Sequence, residues 1–296
     1  MKKPQHAGES THQNPELADQ FTHLVEEAKR DPQIVALWLD GSRGKGVKVT
    51  EHSDYDVRMI VADGMLDEYQ AQYAHSGQGG LDLGVMTLTD FASYAEYGTE
   101  EAWDRYNFSH LTAIVDKTDG HIQRLMHAKG CVPPEKQREI IAESLGGFLN
   151  QVYRAAKCQR DGDGIAAQFE AADAIPSLLT TMFALHGRAT PYYKYLVWEL
   201  DTYPLDKFPW KTDTFISYLL NIVTQGDIEV LVNVFQVIRP IFRHEGYGHV
   251  FDEWKGYYVV GEDEDDDAIP PNSSTLEEFG GMMNSCMNMA DSENCL

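Results

Sequence analysis

Two aspartates stand one residue apart in the segment SDYDVRMIV, where a polar loop gives way to an alternating run. In an extended strand, residues i and i+2 project from the same face, so the carboxylates of Asp54 and Asp56 converge. On a buried face the pair would repel, and its desolvation would be costly unless a cation compensated for the charge. Mg²⁺ prefers oxygen ligands and commonly takes one or two carboxylates plus substrate phosphates. The pair therefore predicts a divalent metal site at the start of a strand.

A glycine–serine pair precedes the aspartates. The apolar run IVALWL has the length of a strand, and Gly41 and Ser42 follow it after a single aspartate. A turn of small residues that leaves a strand exposes backbone N–H groups, which can cradle phosphate. Phosphate on one side and metal-holding carboxylates on the other make a nucleoside-triphosphate site. The alternative interpretation is a plain glycine turn beside a solvated, acidic strand end.

Gly41-Ser42, a gap of eleven residues and the acid–Tyr–acid triplet at 54–56 resemble the signature of the polymerase-β-like nucleotidyltransferase superfamily. The resemblance covers residues 34–90. It implies that ATP or another nucleoside triphosphate lays its β- and γ-phosphates against the Gly-Ser turn, and that the paired acids hold two Mg²⁺ ions. It also implies a third acid on a neighbouring strand, which completes the metal site or deprotonates the attacking hydroxyl.

The third acid is assigned to Asp82, in the segment GLDLGVMTL. Asp82 opens the next apolar run between Leu81 and Leu83, so it is expected to face the same cleft as the pair. The competing acids are Asp40 and Asp90. The resemblance thus predicts Asp54, Asp56 and Asp82 as both the catalytic acids and the metal ligands.

Basic residues near the turn are candidates for binding the triphosphate. Arg43 follows the Gly-Ser pair directly and is expected to touch it, whereas Lys45 and Lys48 are either further contacts or solvated loop residues. A lysine reaching back from the helical domain recurs in the superfamily, and Lys194 in PYYKYL matches that role. The alternative is a lysine that extends to solvent from a helix packed by its neighbouring aromatic residues.

The helix and strand signals indicate an α+β protein. An N-cap and a proline at Asn14-Pro15 predict the first helix, and apolar alternation and helical spacing predict the other elements. The predicted strands are 34–40, 54–61, 81–88 and 111–116, and the predicted helical segments are 15–30, 91–106, 137–158, 165–186, 192–200, 214–223 and 227–243.

The texture of the chain changes after Pro133-Pro134, where a mixed sheet region gives way to helices. The prediction is a small mixed sheet with flanking helices, followed by an all-α bundle. The predicted boundaries are a disordered leader at 1–13, a nucleotidyltransferase catalytic domain at 14–132, a helical acceptor-binding domain at 133–260 and an acidic flexible tail at 261–296.

The net charge of −23 bears on the partners. A field of that sign repels nucleic acid, whose binding depends on Lys and Arg, and attracts cationic small molecules. No stretch approaches the length of about 20 apolar residues that a membrane span needs. The N-terminus has no apolar segment typical of a signal peptide, and scattered cysteines indicate reduced thiols. The chain is therefore expected in the cytoplasm, with a small-molecule acceptor and neither membrane nor nucleic acid as a partner.

A helical domain behind a catalytic domain of this size is similar to the arrangement in bacterial aminoglycoside nucleotidyltransferases. That resemblance implies that the helical domain binds the acceptor. Glu170 and Asp173 are three residues apart and share a helix face. They are candidates for receiving cationic amines, or they are solvated acids.

The leading hypothesis is a Mg²⁺-dependent enzyme that moves AMP from ATP to a hydroxyl of a small cationic acceptor such as an aminoglycoside, an antibiotic modification that releases pyrophosphate. One alternative keeps the chemistry with a protein or RNA acceptor, although the charge argues against RNA. Another is a nucleotide-binding sensor or antitoxin-like protein with the same fold and no turnover. The presence of all three acids argues against an inactive site.

Overall fold

The structure is a computed structural model that describes residues 15–74 and 80–254. The predicted leader at 1–13 and the predicted tail at 261–296 lie outside these residues. The strands are β1 (Ile34–Leu39), β2 (Tyr55–Val61), β3 (Leu81–Thr87) and β4 (Val115–Asp116). The helices are α1 (Pro15–Arg30), α2 (Gly41–Lys45), α3 (Leu66–Tyr73), α4 (Leu88–Ser93), a 3₁₀ helix (Glu100–Phe108), α5 (His121–Lys129), α6 (Pro134–Arg160), α7 (Gly164–Leu185), α8 (Tyr193–Thr202), α9 (Thr212–Gln225), α10 (Ile228–Phe242), a π-helical turn (Arg243–Tyr247) and α11 (Gly248–Glu253).

The strands form one mixed sheet in the order β3-β2-β1-β4. β1 runs antiparallel to both of its neighbours, whereas β2 and β3 are parallel and are joined through α3. A parallel connection needs a crossover of this kind, because the chain must return to the same end of the sheet. The predicted α+β class, with a mixed sheet and flanking helices, is confirmed.

The sheet has an apolar core on each face, as the alternation along β2 predicts. Tyr55, Val57, Met59 and Val61 belong to a core that includes residues of α1 and α3. Ile60 belongs to a second core, in which it is grouped with buried residues of β1, α4 and the 3₁₀ helix. Because both faces are covered, the central part of β2 is buried, and Asp54 and Asp56 lie at its more accessible start.

The chain divides into two compact units that do not follow the predicted boundary. Among the described residues, the first unit runs to Arg138 and also includes Phe183–Thr202, and the second comprises Glu139–Met182 and the residues from Tyr203 on. The sequence analysis assigned all of 133–260 to a helical domain. Residues 183–202 instead group with the sheet, because α8 packs there: the ring of Tyr195 lies 5.8 Å from that of Tyr106.

The second unit is all-α, as predicted for the C-terminal part. Among the described residues, no helix combines the length and apolar character needed to cross a membrane. The predicted strand at 111–116 is reduced to β4, with two residues paired to β1. The reason is local: the Ala113 N–H donates to the side chain of Gln123, 2.8 Å away, instead of to a strand.

The Phe91 ring anchors the second core. It is fully buried, with ring centroids 5.1 Å from Trp38 and 5.7 Å from Phe108. Phe91→Ala is expected to lower the free energy of unfolding by about 3 to 5 kcal/mol, because it leaves a cavity. The matched control is Trp103→Ala, at a site 70% exposed, where a loss of about 0.5 kcal/mol or less is expected. Urea denaturation measures both, and equal losses would contradict this packing.

Candidate active site

Three acids meet at the start of two parallel strands. Asp54 directly precedes β2, Asp56 is the second residue of β2, and Asp82 is the second residue of β3. Asp56 and Asp82 are register partners, so their side chains leave the same face of the sheet. Asp54 and Asp82 are exposed, and Asp56 is partly buried. The three acids predicted from the sequence are therefore neighbours at one edge of the sheet.

The Gly-Ser turn lies against this acidic edge. The Asp40 N–H donates to the carbonyl oxygen of Asp56 at 2.7 Å, which extends the pairing of β1 and β2 up to the turn. Gly41 has a φ of 61°, and a Cβ placed on it would lie 2.8 Å from Oδ2 of Asp56. A real Cβ does not approach an oxygen so closely, so only glycine lets the turn and the carboxylate stand this close.

Ser42 is buried at the start of α2, where its Oγ donates to Oγ of Ser53 at 3.3 Å. The loop before Asp54 thus contacts the turn. Ser53 is a partner that sequence spacing did not connect with Ser42.

Arg43 supports the loop that leads to Asp54. Its Nε and Nη2 donate to the carbonyl oxygen of Ser53 at 3.1 and 2.9 Å, and its guanidinium lies 4.0 Å from the ring centroid of Tyr55. The contact of Arg43 with a triphosphate stays a prediction. Lys48 is exposed, whereas Lys45 is buried and so is not a solvated loop residue.

Lys194 lies in the same unit as the acids. It is the second residue of α8, is exposed, and has its Nζ 5.4 Å from the ring centroid of Tyr195. Its positive charge acts to lower the pKa of the Asp56 carboxyl. The structure therefore places Lys194 within electrostatic reach of the acidic edge, and its role in binding nucleotide stays a prediction.

The pKa of the Asp56 carboxyl reflects both its burial and the charges around it. Burial raises its pKa above the ordinary value, and the negative charges of Asp54 and Asp82 raise it further. The cations Arg58 and Lys194 oppose this shift without cancelling it. A cation bound beside these carboxylates would relieve the remaining repulsion.

The donor set fits a magnesium ion only when a ligand contributes. Among residues 15–74 and 80–254, no group of three or more His, Cys, Asp or Glu side chains stands in an arrangement that could hold a metal. Mg²⁺, however, is usually bound through one or two carboxylates and substrate phosphates rather than by a complete protein cage. Asp54 and Asp56, next to a turn suited to phosphate, match that mode by residue type and placement.

The two competing acids are engaged elsewhere. Asp40 is buried, accepting from Nε1 of Trp38 at 2.8 Å and pairing with Nε of Arg58 at 3.0 Å. The Asp90 carboxylate caps α4, where it accepts from the hydroxyl of Thr87 at 2.7 Å. By its exposure and its register with Asp56, Asp82 remains the better placed third acid.

Arg58 is the residue of this site that sequence reasoning missed. It follows Asp56 by two positions on the same strand face, and its guanidinium occupies the space left by Gly84 of β3, where a Cβ would lie 2.9 Å from Nη1. The alternation that placed Asp54 and Asp56 together also placed Arg58 beside them. The signal in the sequence that could have identified Arg58 is its spacing: a basic residue follows Asp54 and Asp56 on the same strand face.

The two predicted acceptor acids belong to the second unit. Glu170 pairs with Nη2 of Arg154, and Asp173 accepts from Nε2 of Gln151, both across from α7 to α6. Glu170 is therefore not an uncompensated negative charge. Their contact with an acceptor stays a prediction.

Among known proteins, the similarity found is to distantly related solved structures. No protein-family model matches the chain, and no curated protein matches it. The crystal structure of a nucleotidyltransferase-like protein from Exiguobacterium sibiricum 255-15 is 14% identical, with 82% of this chain and 76% of that chain covered and a TM-score of 0.38. A TM-score and an identity this low assign neither a fold family nor an activity.

Gly41 and Gly46 form a matched pair for testing the turn. Both have positive φ, 61° and 68°, but a Cβ at Gly46 would meet nothing within 4 Å. Alanine at either position costs about 1 to 2 kcal/mol of backbone strain. Gly41→Ala is expected to cost about 0.5 to 1.5 kcal/mol more than Gly46→Ala, because the Asp56 side chain must rotate away from its present position. Equilibrium unfolding measures the difference; equal costs would mean that turn and carboxylate are not in contact.

Asp40 gives the unit a defined pH dependence. Burial raises its pKa from 3.8 to about 6, although the Arg58 guanidinium and the Trp38 N–H oppose the shift. A raised carboxyl pKa contributes stability that is fully present below about 4 and is lost as the pH rises through about 6. Relative to Asp40→Asn, the wild type is expected to lose about 3 kcal/mol across that window. If the free energies of unfolding of the two proteins, measured by chemical denaturation, change with pH in parallel, the Asp40 pKa is not raised.

Proposed function

We propose that this chain is a nucleotidyltransferase that transfers a nucleoside monophosphate, AMP from ATP, to a hydroxyl of a small cationic acceptor and releases pyrophosphate. An aminoglycoside is an acceptor of the required chemistry. The observation that carries the proposal is the meeting of three features at one edge of the sheet. The Gly41 turn lies against Asp56, and Asp56 is in register with Asp82. Asp54 lies beside Gly80, which is two residues before Asp82: a Cβ placed on Gly80 would lie 3.4 Å from Oδ1 of Asp54.

The residues divide the work of the reaction among them. The backbone of Gly41 and Ser42 receives the terminal phosphates of the nucleotide, because a turn of this kind presents N–H groups to an anion. Asp54 and Asp56 hold Mg²⁺, which supplies charge neutralisation for the leaving pyrophosphate when it is bound. Asp82 accepts the proton of the acceptor hydroxyl from the neighbouring strand. Lys194 adds a positive charge on the phosphate side.

The nature of the acceptor is supported by charge alone. The net charge of −23 favours the approach of polycations and disfavours nucleic acid. An acidic protein also needs its nucleotide neutralised by Mg²⁺, because the free triphosphate would be repelled. A cationic amino sugar with free hydroxyls combines the attraction with the nucleophile.

Pyrophosphate release tests the proposal. The wild type is expected to release pyrophosphate from ATP and Mg²⁺ only when an amino-sugar acceptor from a small panel is present. Asp54→Asn and Asp56→Asn should each lower kcat by several powers of ten, because each removes one of the two carboxylates proposed to hold the metal. Asp82→Asn should also abolish turnover while leaving nucleotide affinity nearly unchanged, since the lost group acts on the proton and not on the phosphates.

The matched control is Asp90→Asn, which removes the acid that caps α4 rather than one at the start of β2 or β3. It should retain activity. Activity lost in Asp90→Asn and kept in Asp82→Asn would reassign the third acid. If ATP binds saturably but no pyrophosphate is released with any acceptor, the protein is a nucleotide sensor and not an enzyme. If no nucleotide binds, the proposed function is wrong.

A further inference from the structure

Lys45 ends α2, the short helix that begins with the Gly-Ser turn. It is only 9% exposed, and its Nζ donates to three backbone carbonyl oxygens, those of Tyr106 at 3.1 Å, Asn107 at 2.9 Å and Ser109 at 2.5 Å. These carbonyls lie at the end of the 3₁₀ helix and at its C-cap, Ser109; that of Tyr106 also accepts from the Ser109 N–H at 3.0 Å. A single ammonium thus joins α2 to a segment more than sixty residues away in the chain.

The surroundings of this ammonium are aromatic and acidic. Its Nζ lies 4.7 Å from the ring centroid of Tyr106 and 5.9 Å from that of Tyr195, distances at which a cation is attracted to a ring face. Burial lowers the Lys45 pKa to about 8, and the negative charges of Asp40, Glu199 and Asp104 act to raise it. Near neutral pH the group is charged, although it is buried.

The charge of Lys45 is held by its contacts. A lysine whose pKa is lowered by folding contributes stability that is present above about 10.5 and is lost as the pH falls through about 8. Methionine would avoid the cost of burying the charge but would lose the three hydrogen bonds to backbone carbonyl oxygens. The use of these contacts lies in what they hold in place.

The position of α2 suggests that use. A helix of five residues has no stability of its own, so contacts with its neighbours decide its orientation. Ser53 accepts from the Ser42 hydroxyl near one end, and Lys45 holds the other. We propose that Lys45 is a positioning residue for nucleotide binding: its ammonium fixes α2 against the end of the 3₁₀ helix, so that Gly41 and Ser42 are held in the conformation that receives the phosphates. This inference rests on the proposed function.

The matched control for this role is Lys129. It is also buried, and its Nζ likewise donates to backbone carbonyl oxygens, those of Ala92 at 3.0 Å and Tyr94 at 2.7 Å. Nζ of Lys129 also pairs with Oε1 of Glu96 at 3.0 Å. These contacts lie at the end of α4 and just after it, and not at α2. Lys45→Met and Lys129→Met therefore each remove a buried ammonium that donates to backbone carbonyl oxygens, and only the first of them concerns the turn.

Nucleotide affinity of the folded protein separates positioning from support of the fold. With a fluorescent ATP analogue and Mg²⁺, Lys45→Met is expected to raise Kd by about tenfold, the loss typical of charge-assisted hydrogen bonds, whereas Lys129→Met should change it by less than about twofold. Thermal unfolding of each variant corrects for the unfolded fraction. A Lys45→Met protein that binds nucleotide as the wild type does, or equal effects of the two substitutions, would overturn the proposal.

A pH series provides a second test that does not depend on the methionine variant folding. In the wild type, Kd is expected to rise between about pH 7 and about pH 9 as Lys45 loses its charge, and Lys45→Arg should remove that rise because arginine stays protonated. A wild-type Kd without such a rise, or one that rises equally in Lys45→Arg, contradicts the proposal. Failure of the wild type to bind nucleotide at any pH counts instead against the proposed function.

Discussion

The contact between the Gly41 turn and the carboxylate of Asp56 is the constraint on which the site depends. It exists because β1 and β2 are adjacent and antiparallel, so that the end of β1 meets the beginning of β2. The hydrogen bond from the Asp40 N–H to the Asp56 carbonyl fixes the spacing, and the missing side chain at position 41 leaves room for Oδ2. Strand pairing thereby places the backbone of the Gly-Ser turn beside the Asp56 carboxylate, the two groups to which the proposal assigns phosphate and metal binding.

Much of this edge was predictable because its determinants are local. The alternation of SDYDVRMIV fixes which residues of β2 share a face, and a short apolar run before a glycine predicts where β1 ends. The register of Asp56 with Asp82 was not predictable in detail, because it depends on how α3 returns the chain to β3. Asp82 was assigned from its position at the start of a strand, which in a parallel pair is the same end as Asp56.

The parts that sequence reasoning missed depend on contacts distant in the chain. Residues 183–202 group with the sheet because α8 packs on the 3₁₀ helix and the residues that follow it. There Oε1 of Glu199 lies 2.7 Å from Nε2 of His110, a residue 89 positions earlier in the chain. Nothing in the composition of PYYKYLVWEL distinguishes this from packing in a helical bundle. Likewise, Lys45 sits in a glycine- and lysine-rich stretch whose composition indicates a solvated loop, and only the carbonyls at the end of the 3₁₀ helix reveal it as a buried contact.

The two halves of the proposed site are organised differently. In the proposed phosphate half, the turn begins α2, whose Ser42 donates to Ser53 and whose Lys45 donates to carbonyl oxygens at the end of the 3₁₀ helix. In the acidic half, burial and the charges of Asp54 and Asp82 raise the pKa of Asp56, and Arg58 and Lys194 oppose that shift. Under the proposed function, a nucleotide carrying Mg²⁺ would bring the phosphate to one half and the cation to the other.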